Sequence, residues 1–533
     1  MHQAEASAQP VPDVPDPAGA TGDKFPPPER APDVPLPDTA PAATVAPRHS
    51  RFGPIERRTA VLSVALVAAL AAAGTGVAAL HDGTRGPRPA PEASSANAAS
   101  PVRPAAPIPA PSAAPEVLPR LHPAAPVPTT AGLRGILGPL LRTPALGPTV
   151  SAEVVDLATG ASLFSVSPTR PAIPASSAKL LTGAAALSLL GPRARLATTV
   201  VSGAGPGEIV LVGGGDVTVA AGHGTIGSAT GRAGMADLAG VTAAALKAQG
   251  RSSVAVRLDD SLFTGGAINS HWRTGDVRGG FVAPVTALAV DSGSATPGTP
   301  LVPGKPTRRV ADPAMAAARL FAAQLSKQGV RIVGSVARGP APSGAEPLAK
   351  VESATVADLV EHALTDSDNT LAEALARVVA VRSGRKGTFA DAGLAVLDRV
   401  GSLGVRVTAA QLTGGSGLGD GNRVPARTLA QVLVLAASPK HPELRPLLSG
   451  LPVAGASGTL TDRFTTARDS AGLGVVRAKT GTLTGASSLS GTVVDADGRL
   501  LGFVLEADAV SSTVAARAAL DAAAAALAAC GCR

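Results

Sequence analysis

The sequence predicts an α/β (α+β) sandwich that is interrupted by an inserted mixed α/β domain and preceded by one transmembrane helix. Alternating apolar runs, which are typical of strands, occur near both ends of residues 133–533, with helical patterns beside them. The long stretch between these runs has strand and helix patterns of its own. Far upstream, residues 59–80 contain no charged side chain.

The composition excludes several classes of protein. The net charge is +8, but Lys and Arg do not form runs interleaved with aromatic residues, so we expect no nucleic-acid partner. Cys530 and Cys532 lie in what we expect to be a frayed tail, and cysteines this close in sequence rarely reach disulfide geometry. No Cys or His cluster has the spacing of metal ligands, so no metal or other cofactor is predicted.

The first 132 residues are expected to carry an anchor. Residues 1–58 are rich in Pro, Ala and Asp and predict a disordered cytoplasmic segment. As a helix, residues 59–80 would span about 33 Å, which is enough for a bilayer core. Arginines just before this segment, among them Arg57 and Arg58, place the N-terminus in the cytoplasm and the later residues outside. A cleaved signal peptide, which would leave the protein secreted, is the alternative. Residues 81–132 predict a Pro/Ala-rich linker.

Element boundaries in the folded region follow from apolar periodicity and turn residues. Two alternating runs joined by Ala158-Thr159-Gly160 predict a hairpin. A helical pattern begins near Ser176 and stops at Gly191-Pro192. The further predictions are a helix from Asp312-Pro313 to Gly329, a helix around residues 356–364, strands at 475–482, 486–494 and 500–506, and a closing helix at 511–529.

The first chemical motif is Ser176-Ser177-Ala178-Lys179. Residues three apart lie on one face of a helix, so Lys179 is expected one turn from Ser176. The start of a helix also directs free backbone N–H groups outward. The alternative is an N-cap serine with a solvated lysine, since this pattern arises by chance roughly once in a chain of this length.

The second motif is Ser367-Asp368-Asn369, between a helix that ends near Leu364 and another that begins at Thr370. We expect Thr370 and Glu373 to form a capping box at the start of the second helix. A short polar loop held between two helices is a rigid place from which side chains can project into a cleft. The alternative is a plain helix–helix turn.

The third motif is Lys479-Thr480-Gly481-Thr482, within an apolar strand. A lysine in mid-strand, followed by a glycine that lets a ligand backbone approach, fits an edge strand that receives a peptide. The alternative is a solvent-facing edge lysine that discourages aggregation. Three motifs in this order, each in a suitable structural context, favour one common site.

The order S-x-x-K, S-D-N, K-T-G is the signature of class A β-lactamases and penicillin-binding proteins. Five longer stretches narrow the resemblance: 211–216, 258–263, 283–288, 422–423 and 451–455. With them, residues 133–530 resemble the D-alanyl-D-alanine carboxypeptidase/endopeptidase family, the class C low-molecular-mass penicillin-binding proteins. This family consists of serine D,D-peptidases.

The resemblance also implies the domain organisation. Ser367 lies 191 positions after Ser176, although both must reach one cleft. A penicillin-binding/β-lactamase-like transpeptidase domain, residues 133–195 and 353–533, is therefore expected to be interrupted by an inserted domain, residues 196–352. One loop departs from the family: Asp-Gly-Ser-Gly-Leu-Ser is common where residues 414–419 read Gly-Gly-Ser-Gly-Leu-Gly. This departure leaves the role of the loop open.

The activity implied is that of a serine-type D-Ala-D-Ala carboxypeptidase, with D,D-endopeptidase activity as an open addition. It would act on peptidoglycan stem peptides ending in D-Ala-D-Ala, outside a bacterial cytoplasmic membrane. Ser176 would be the nucleophile, and β-lactam antibiotics are expected to acylate it. Lys179 would be its base, once burial and the charge of Lys479 lower the lysine pKa. Ser367 would relay a proton to the leaving group.

The remaining site residues would bind the substrate. The resemblance assigns this role to Asn369, Lys479, Thr480, Gly481 and Thr482. The backbone N–H groups of Ser176 and Thr482 would receive the oxyanion. Two other functions stay open: a β-lactamase, which would turn penicillin over, and a non-catalytic scaffold or sensor that binds wall peptides.

Overall fold

A computed structural model describes residues 124–299, 302 and 304–533. The predicted disordered segment, the predicted transmembrane helix and most of the predicted linker lie outside these residues. Within the described part of the chain, no helix is both long enough and apolar enough to cross a membrane.

A five-stranded antiparallel sheet forms the centre of the described chain outside residues 195–355, which we call the main half. Its strands lie in the order β11-β12-β13-β1-β2. Along each strand, successive side chains point to opposite faces of the sheet, so apolar residues contribute to one core on each face. The last three strands of the chain form the predicted meander, and β11 is an edge strand. The bounds are Thr149–Asp156 (β1), Ser162–Val166 (β2), Arg477–Leu483 (β11), Ala486–Val494 (β12) and Leu500–Asp508 (β13).

Helices cover both faces of this sheet, which confirms the mixed α/β sandwich. On one face, the first and last helices, α1 and α11, enclose a core that includes Leu137 and Phe503. On the other face, α9 packs on β1 and β13, and α2 is surrounded by α6, α7 and α8. These helices are Thr130–Leu141 (α1), Lys179–Leu190 (α2), Val356–Thr365 (α6), Asn369–Arg382 (α7), Phe389–Ser402 (α8), Ala426–Ala437 (α9), Pro446–Ser449 (α10) and Thr513–Ala528 (α11).

A second sheet lies between α2 and α6 in the sequence, in the order β7-β6-β5-β4-β9, with β8 beside β6. Helices α3 and α5 pack together and close a separate core around Leu211 and Phe321. Asp312 caps α5, as its Asp-Pro sequence predicts. The elements are Arg195–Ser202 (β4), Glu208–Val212 (β5), Met235–Ala248 (α3), Ser253–Asp259 (β6), Thr274–Arg278 (α4), Pro313–Lys327 (α5), Arg331–Ile332 (β7), Ala337–Arg338 (β8) and Pro347–Thr355 (β9).

The outer strands of the second sheet lead back to the main half. β9 continues without a break into α6, which begins at Val356, so the sheet delivers the chain directly to the turn that carries Ser367. Two short strands, Pro171–Ala172 (β3) and Val424–Pro425 (β10), pair with each other just before the Ser176 turn. The chain enters the second sheet at Arg195 of β4 and leaves it at Thr355 of β9, and these two residues are paired, so the segments that carry the two motif serines adjoin the same edge of that sheet.

The structure departs from three sequence-based expectations at the ends of the folded region. Cys530 and Cys532 form a disulfide rather than free thiols, with their Cα atoms 5.1 Å apart, a separation that disulfides commonly show. The tail is held rather than frayed, because Cys530 is buried and the Cys532 carbonyl accepts the N–H of Thr129 at 2.7 Å. The ordered region also starts before residue 133, since Thr129 caps α1.

Candidate active site

Ser176 lies in a single 3₁₀ turn, Ala175–Ala178, immediately before α2, and not on the α-helix itself. Hydrogen bonds to strand β12 fasten this turn to the sheet. The Ser488 hydroxyl of β12 donates to the Pro174 carbonyl at 2.7 Å and lies 2.9 Å from the Ser177 hydroxyl. The turn still places residue 179 beneath residue 176, so the predicted proximity of serine and lysine holds for a slightly different reason.

Lys179 is 1% exposed, and its ammonium nitrogen has three oxygen partners. It lies 2.9 Å from the Ser176 Oγ, 2.6 Å from the Asn369 Oδ1 and 3.0 Å from the Ser416 carbonyl oxygen. An ammonium group has three donors, so this set satisfies all of them. A solvated lysine is therefore excluded.

Burial lowers the pKa of Lys179 to about 7, while the carboxylates of Glu373 and Asp368 act in the opposite direction. An ordinary lysine is almost wholly protonated at neutral pH. A lysine with a pKa near 7 is neutral in a large fraction of molecules, and a neutral amine can accept the proton of Ser176. Burial is thus the main cause of the shift.

The turn that carries Ser367 is fixed by its neighbours. Ser367 has a φ of 59°, a left-handed conformation that is uncommon for serine. Asp368 caps α7 by accepting the Leu371 N–H at 3.0 Å, and it also accepts the Ser292 hydroxyl at 2.8 Å. Asn369 donates to the Phe281 carbonyl at 2.9 Å. These contacts hold Asn369 in place to receive Lys179.

The predicted capping box of α7 is wrong. The cap is Asp368, two residues before Thr370. Thr370 instead accepts the N–H of Ala283 at 3.0 Å, and Glu373 points into the core of the site. The competing cap wins because aspartate is among the best N-cap residues.

Lys479 lies on edge strand β11, as expected, but it is fully buried. It is therefore not a solvent-facing edge lysine. Its ammonium nitrogen donates to the Thr480 carbonyl at 3.0 Å. Burial and the charge of Lys179 lower the pKa of Lys479 well below its ordinary value. The two buried lysines are thus electrostatically linked.

Gly481 packs closely against its neighbours. A Cβ at this position would lie 2.1 Å from the Ser488 Oγ and 2.7 Å from the Pro174 carbonyl oxygen. The glycine therefore allows β11 to lie against the Ser176 turn, and its role in the approach of a ligand stays a prediction. Neighbouring Thr480 is held by a 2.9 Å contact between its hydroxyl and that of Thr459.

The loop of residues 414–419, whose role was left open, reaches the site. Besides the Ser416 carbonyl bound by Lys179, Gly417 packs so closely that a Cβ would lie 1.9 Å from the Ala175 carbonyl oxygen. Glu373, fully buried, binds this loop through the N–H groups of Gly415 at 2.8 Å and Ser416 at 3.0 Å. Sequence reasoning assigned Glu373 to a capping box and missed this role, although a buried Glu373 four residues before a buried Arg377 on one helix was a usable signal.

The predicted residues meet at one cleft of about 970 Å³. Those that line it are Ser176, Ser367, Asn369, Thr480 and Thr482. Lys179, Lys479 and Gly481 are buried. The cleft therefore offers three hydroxyls to a ligand beside the nucleophile, with two buried amines close by. Such an arrangement suits acyl transfer to a serine.

Known proteins are similar to this chain in sequence and in fold. Carboxypeptidase DacB of Mycolicibacterium smegmatis is 39% identical over 434 residues, which are 80% of this chain and 90% of that protein. A D-alanyl-D-alanine carboxypeptidase of Actinomadura sp. is 31% identical over 448 residues, covering 69% of this chain and 79% of that protein. The crystal structure of penicillin binding protein 4 of Haemophilus influenzae matches the fold with a TM-score of 0.59 at 23% identity, over 74% of this chain and 97% of that one.

The model of the D-Ala-D-Ala carboxypeptidase 3 (S13) family matches residues 134–305 and 301–529. This match covers both sheets and all three motifs. The chain therefore belongs to the D-Ala-D-Ala carboxypeptidase 3 (S13) family, which confirms the resemblance carried by those motifs.

Proposed function

We propose that the protein is a serine-type D-Ala-D-Ala carboxypeptidase that is acylated at Ser176. The observation that carries this proposal is the 2.9 Å contact between the Lys179 ammonium nitrogen and the Ser176 Oγ, in a site where burial brings the lysine pKa to about 7. A hydroxyl becomes a useful nucleophile when a base of suitable pKa lies within hydrogen-bond distance. Membership of the S13 family supports the substrate class.

The reaction has two steps at the same carbonyl. In the first, the Ser176 oxygen bonds to the penultimate D-alanine carbonyl carbon and the peptide C–N bond breaks. The serine proton passes to Lys179 and, by way of Ser367, to the departing amine of D-alanine. In the second, a water oxygen bonds to the same carbon, the ester breaks and the proton returns to Ser176. Asn369 orients Lys179 throughout, through its 2.6 Å hydrogen bond.

The substrate carboxylate is received by the hydroxyls of Thr480 and Thr482, which both line the cleft. Lys479 lies behind them with its side chain fully buried, and a bound carboxylate favours its ammonium form. Because the charges of Lys479 and Lys179 interact, a carboxylate near Lys479 also affects the pKa of the base, Lys179.

Incubation with a fluorescent penicillin, followed by mass analysis of the peptides, tests this proposal. A stable adduct on Ser176 in the natural protein and none in Ser176→Ala is the expected result. Ser326→Ala, an exposed serine of the second sheet's helix α5, is the matched control and should label normally. Labelling elsewhere, or rapid release of hydrolysed penicillin as in a β-lactamase, contradicts the proposal.

We further propose that residues 59–80 anchor the protein in a bacterial cytoplasmic membrane, with the catalytic half outside. The uncharged length of this segment and the arginines before it support the proposal. Alkaline extraction of membranes should leave the full chain in the pellet, whereas a variant with residues 59–80 deleted should not be membrane-bound. Recovery of the full chain in the soluble fraction contradicts it.

A further inference from the structure

A histidine and two aspartates form a charged group beside the cleft that the proposed mechanism does not use. His362 lies in the last turn of α6. Asp366 and Asp368 follow it in the sequence, one on either side of Ser367. All four residues line the cleft. The group therefore surrounds the hydroxyl that would pass a proton to the leaving amine.

Each ring nitrogen of His362 faces one of the two carboxylates. The Nδ1 atom lies 3.2 Å from the Asp366 Oδ2, and the Nε2 atom lies 3.9 Å from the Asp368 Oδ2. An imidazole ring carries an N–H on both nitrogens only as the imidazolium cation. A protonated His362 would therefore bridge the two carboxylates and tie together the two sides of the Ser367 turn.

This bridge is largely withdrawn from solvent. The side chains of His362, Asp366 and Asp368 are 16%, 27% and 6% exposed. Exposed ion pairs contribute little to structure because water and salt screen them, whereas partly buried pairs are screened much less. The contacts of His362 can therefore fix the positions of both carboxylates.

The two carboxylates depend on His362 to different degrees. Asp368 also accepts hydrogen bonds from α7 and from Ser292. The Asp366 side chain has His362 as its one hydrogen-bond or ion-pair partner within the described part of the chain. Burial raises the pKa of Asp366, and the charges of His362 and Lys479 oppose this effect. Loss of His362 would therefore release the Asp366 side of the turn.

The Ser367 turn needs support from both sides because its backbone conformation is uncommon. Its φ of 59° lies in the left-handed region, which is unfavourable for a residue with a Cβ. Such a conformation persists only where the surrounding structure fixes it. The position of the Ser367 hydroxyl in the cleft therefore depends on the contacts of the two aspartates.

We propose that His362 is a positioning residue that holds the Ser367 hydroxyl in the cleft by bridging the two aspartates beside it. The inference rests on the proposed function, in which Ser367 passes a proton to the departing amine. When the peptide C–N bond breaks, the nitrogen takes up this proton and leaves as the amine of D-alanine. When a thioester C–S bond breaks instead, the sulfur keeps the electron pair and leaves as a thiolate, which needs no proton. A displaced Ser367 should therefore slow the cleavage of the peptide alone.

A histidine in the last turn of a helix also stabilises that helix through its dipole. This simpler role would affect folding, and it would change the rates on all substrates together. The choice of leaving group therefore separates the two roles.

The test compares two substrates with the full chain. One is a peptide ending in D-Ala-D-Ala, and the other is the same peptide with sulfur in place of the last amide nitrogen. Both form the same acyl-enzyme at Ser176, so the ratio of their kcat/KM values reports on the leaving group. His362→Gln should lower kcat/KM for the peptide about tenfold, less than the 10²–10⁴-fold that a complete acid–base residue contributes, and change that for the thioester by less than about twofold.

Two further variants are the controls. Ser367→Ala removes the relay itself and should show the same selective loss on the peptide. His441 also contacts a carboxylate, that of Glu443 at 3.0 Å, but it does not line the cleft, so His441→Gln should change neither rate.

The outcomes separate this inference from the function on which it rests. An equal loss on both substrates in His362→Gln, or no loss on the peptide, would overturn the positioning role. An equal loss on both substrates in Ser367→Ala would instead overturn the proton relay. Failure of the natural protein to release D-alanine from the peptide would overturn the carboxypeptidase itself.

Discussion

Replacing Glu373 by Gln should move the pH dependence of acylation downward. Glu373 is fully buried, receives the N–H groups of Gly415 and Ser416, and raises the pKa of Lys179 against the effect of burial. With Lys179 as the proposed base, acylation needs its neutral form, so the rate should rise as pH passes through the lysine pKa, which is about 7. Removing the carboxylate charge lets this pKa fall, and the rising limb therefore shifts to lower pH.

Glu373→Gln should also lower the free energy of unfolding, and the hydrogen bonds of Glu373 give the size of this loss. Glutamine has one acceptor oxygen where glutamate has two, so at least one of the two backbone N–H groups loses its partner. An unpaired buried donor costs about 1–3 kcal/mol, and weaker bonding to the other adds about 1 kcal/mol, so we expect a loss of roughly 2–4 kcal/mol in the free energy of unfolding.

Stopped-flow acylation by a chromogenic β-lactam between pH 5 and 9, set beside urea unfolding, measures both effects. Glu153→Gln is the matched control, because Glu153 is 1% exposed and its partners are Ser162 and Arg427, remote from the motif residues in sequence. This control should lose stability and keep the pH profile. If Glu373→Gln also keeps its profile, the reasoning that ties this carboxylate to the base is refuted.

Three further changes have distinct signatures. Lys179→Ala should reduce acylation by at least about 10²-fold, the usual contribution of a positioned base, and flatten its rise with pH; an unchanged profile would exclude Lys179 as the base. Gly417→Ala should slow acylation and lower the free energy of unfolding by more than about 2 kcal/mol, because its Cβ would lie 1.9 Å from the Ala175 carbonyl oxygen. Gly474→Ala, also at positive φ but with open space around it, should lower the free energy of unfolding by only about 1 kcal/mol. Glu506 is fully buried, and neither of its oxygens has a hydrogen-bond partner among the residues that the structure describes. Burial raises its pKa well above the usual value, so folding favours its protonated form. Stability should therefore fall as pH rises from the unfolded pKa of about 4.3 toward the folded one, and Glu506→Gln should remove that slope in thermal melts.

Local features of the fold could be predicted because they depend on neighbours in sequence. The hairpin of β1 and β2, the Asp-Pro start of α5 and the final three-stranded meander all follow from periodicity and turn residues. The three motifs could be found for the same reason, since each is four residues long or shorter. Their convergence was an inference from family resemblance, and the structure provides its geometry.

The features that sequence reasoning missed depend on contacts between distant segments. Glu373 looked like part of a local capping box, yet its partners lie more than 40 positions away. The close approach of Gly481 to Pro174, in a distant part of the sequence, could not be predicted from the motif either. Likewise, the tail that carries Cys530 and Cys532 is held by Thr129, which lies at the other end of the folded region.

The two buried lysines differ in the charges around them, and this difference supports the roles proposed for them. Lys179 has Glu373 and Asp368 to offset burial, so both of its protonation states are accessible near neutral pH. Lys479 is disfavoured as a cation by burial and also by Lys179 and Arg463, and among the described residues Asp366 acts in its favour. In the proposed mechanism, a substrate carboxylate held at Thr480 would add a second favourable charge and promote the ammonium form of Lys479. That positive charge would in turn disfavour protonation of Lys179, so substrate binding would favour the neutral form that acts as the base.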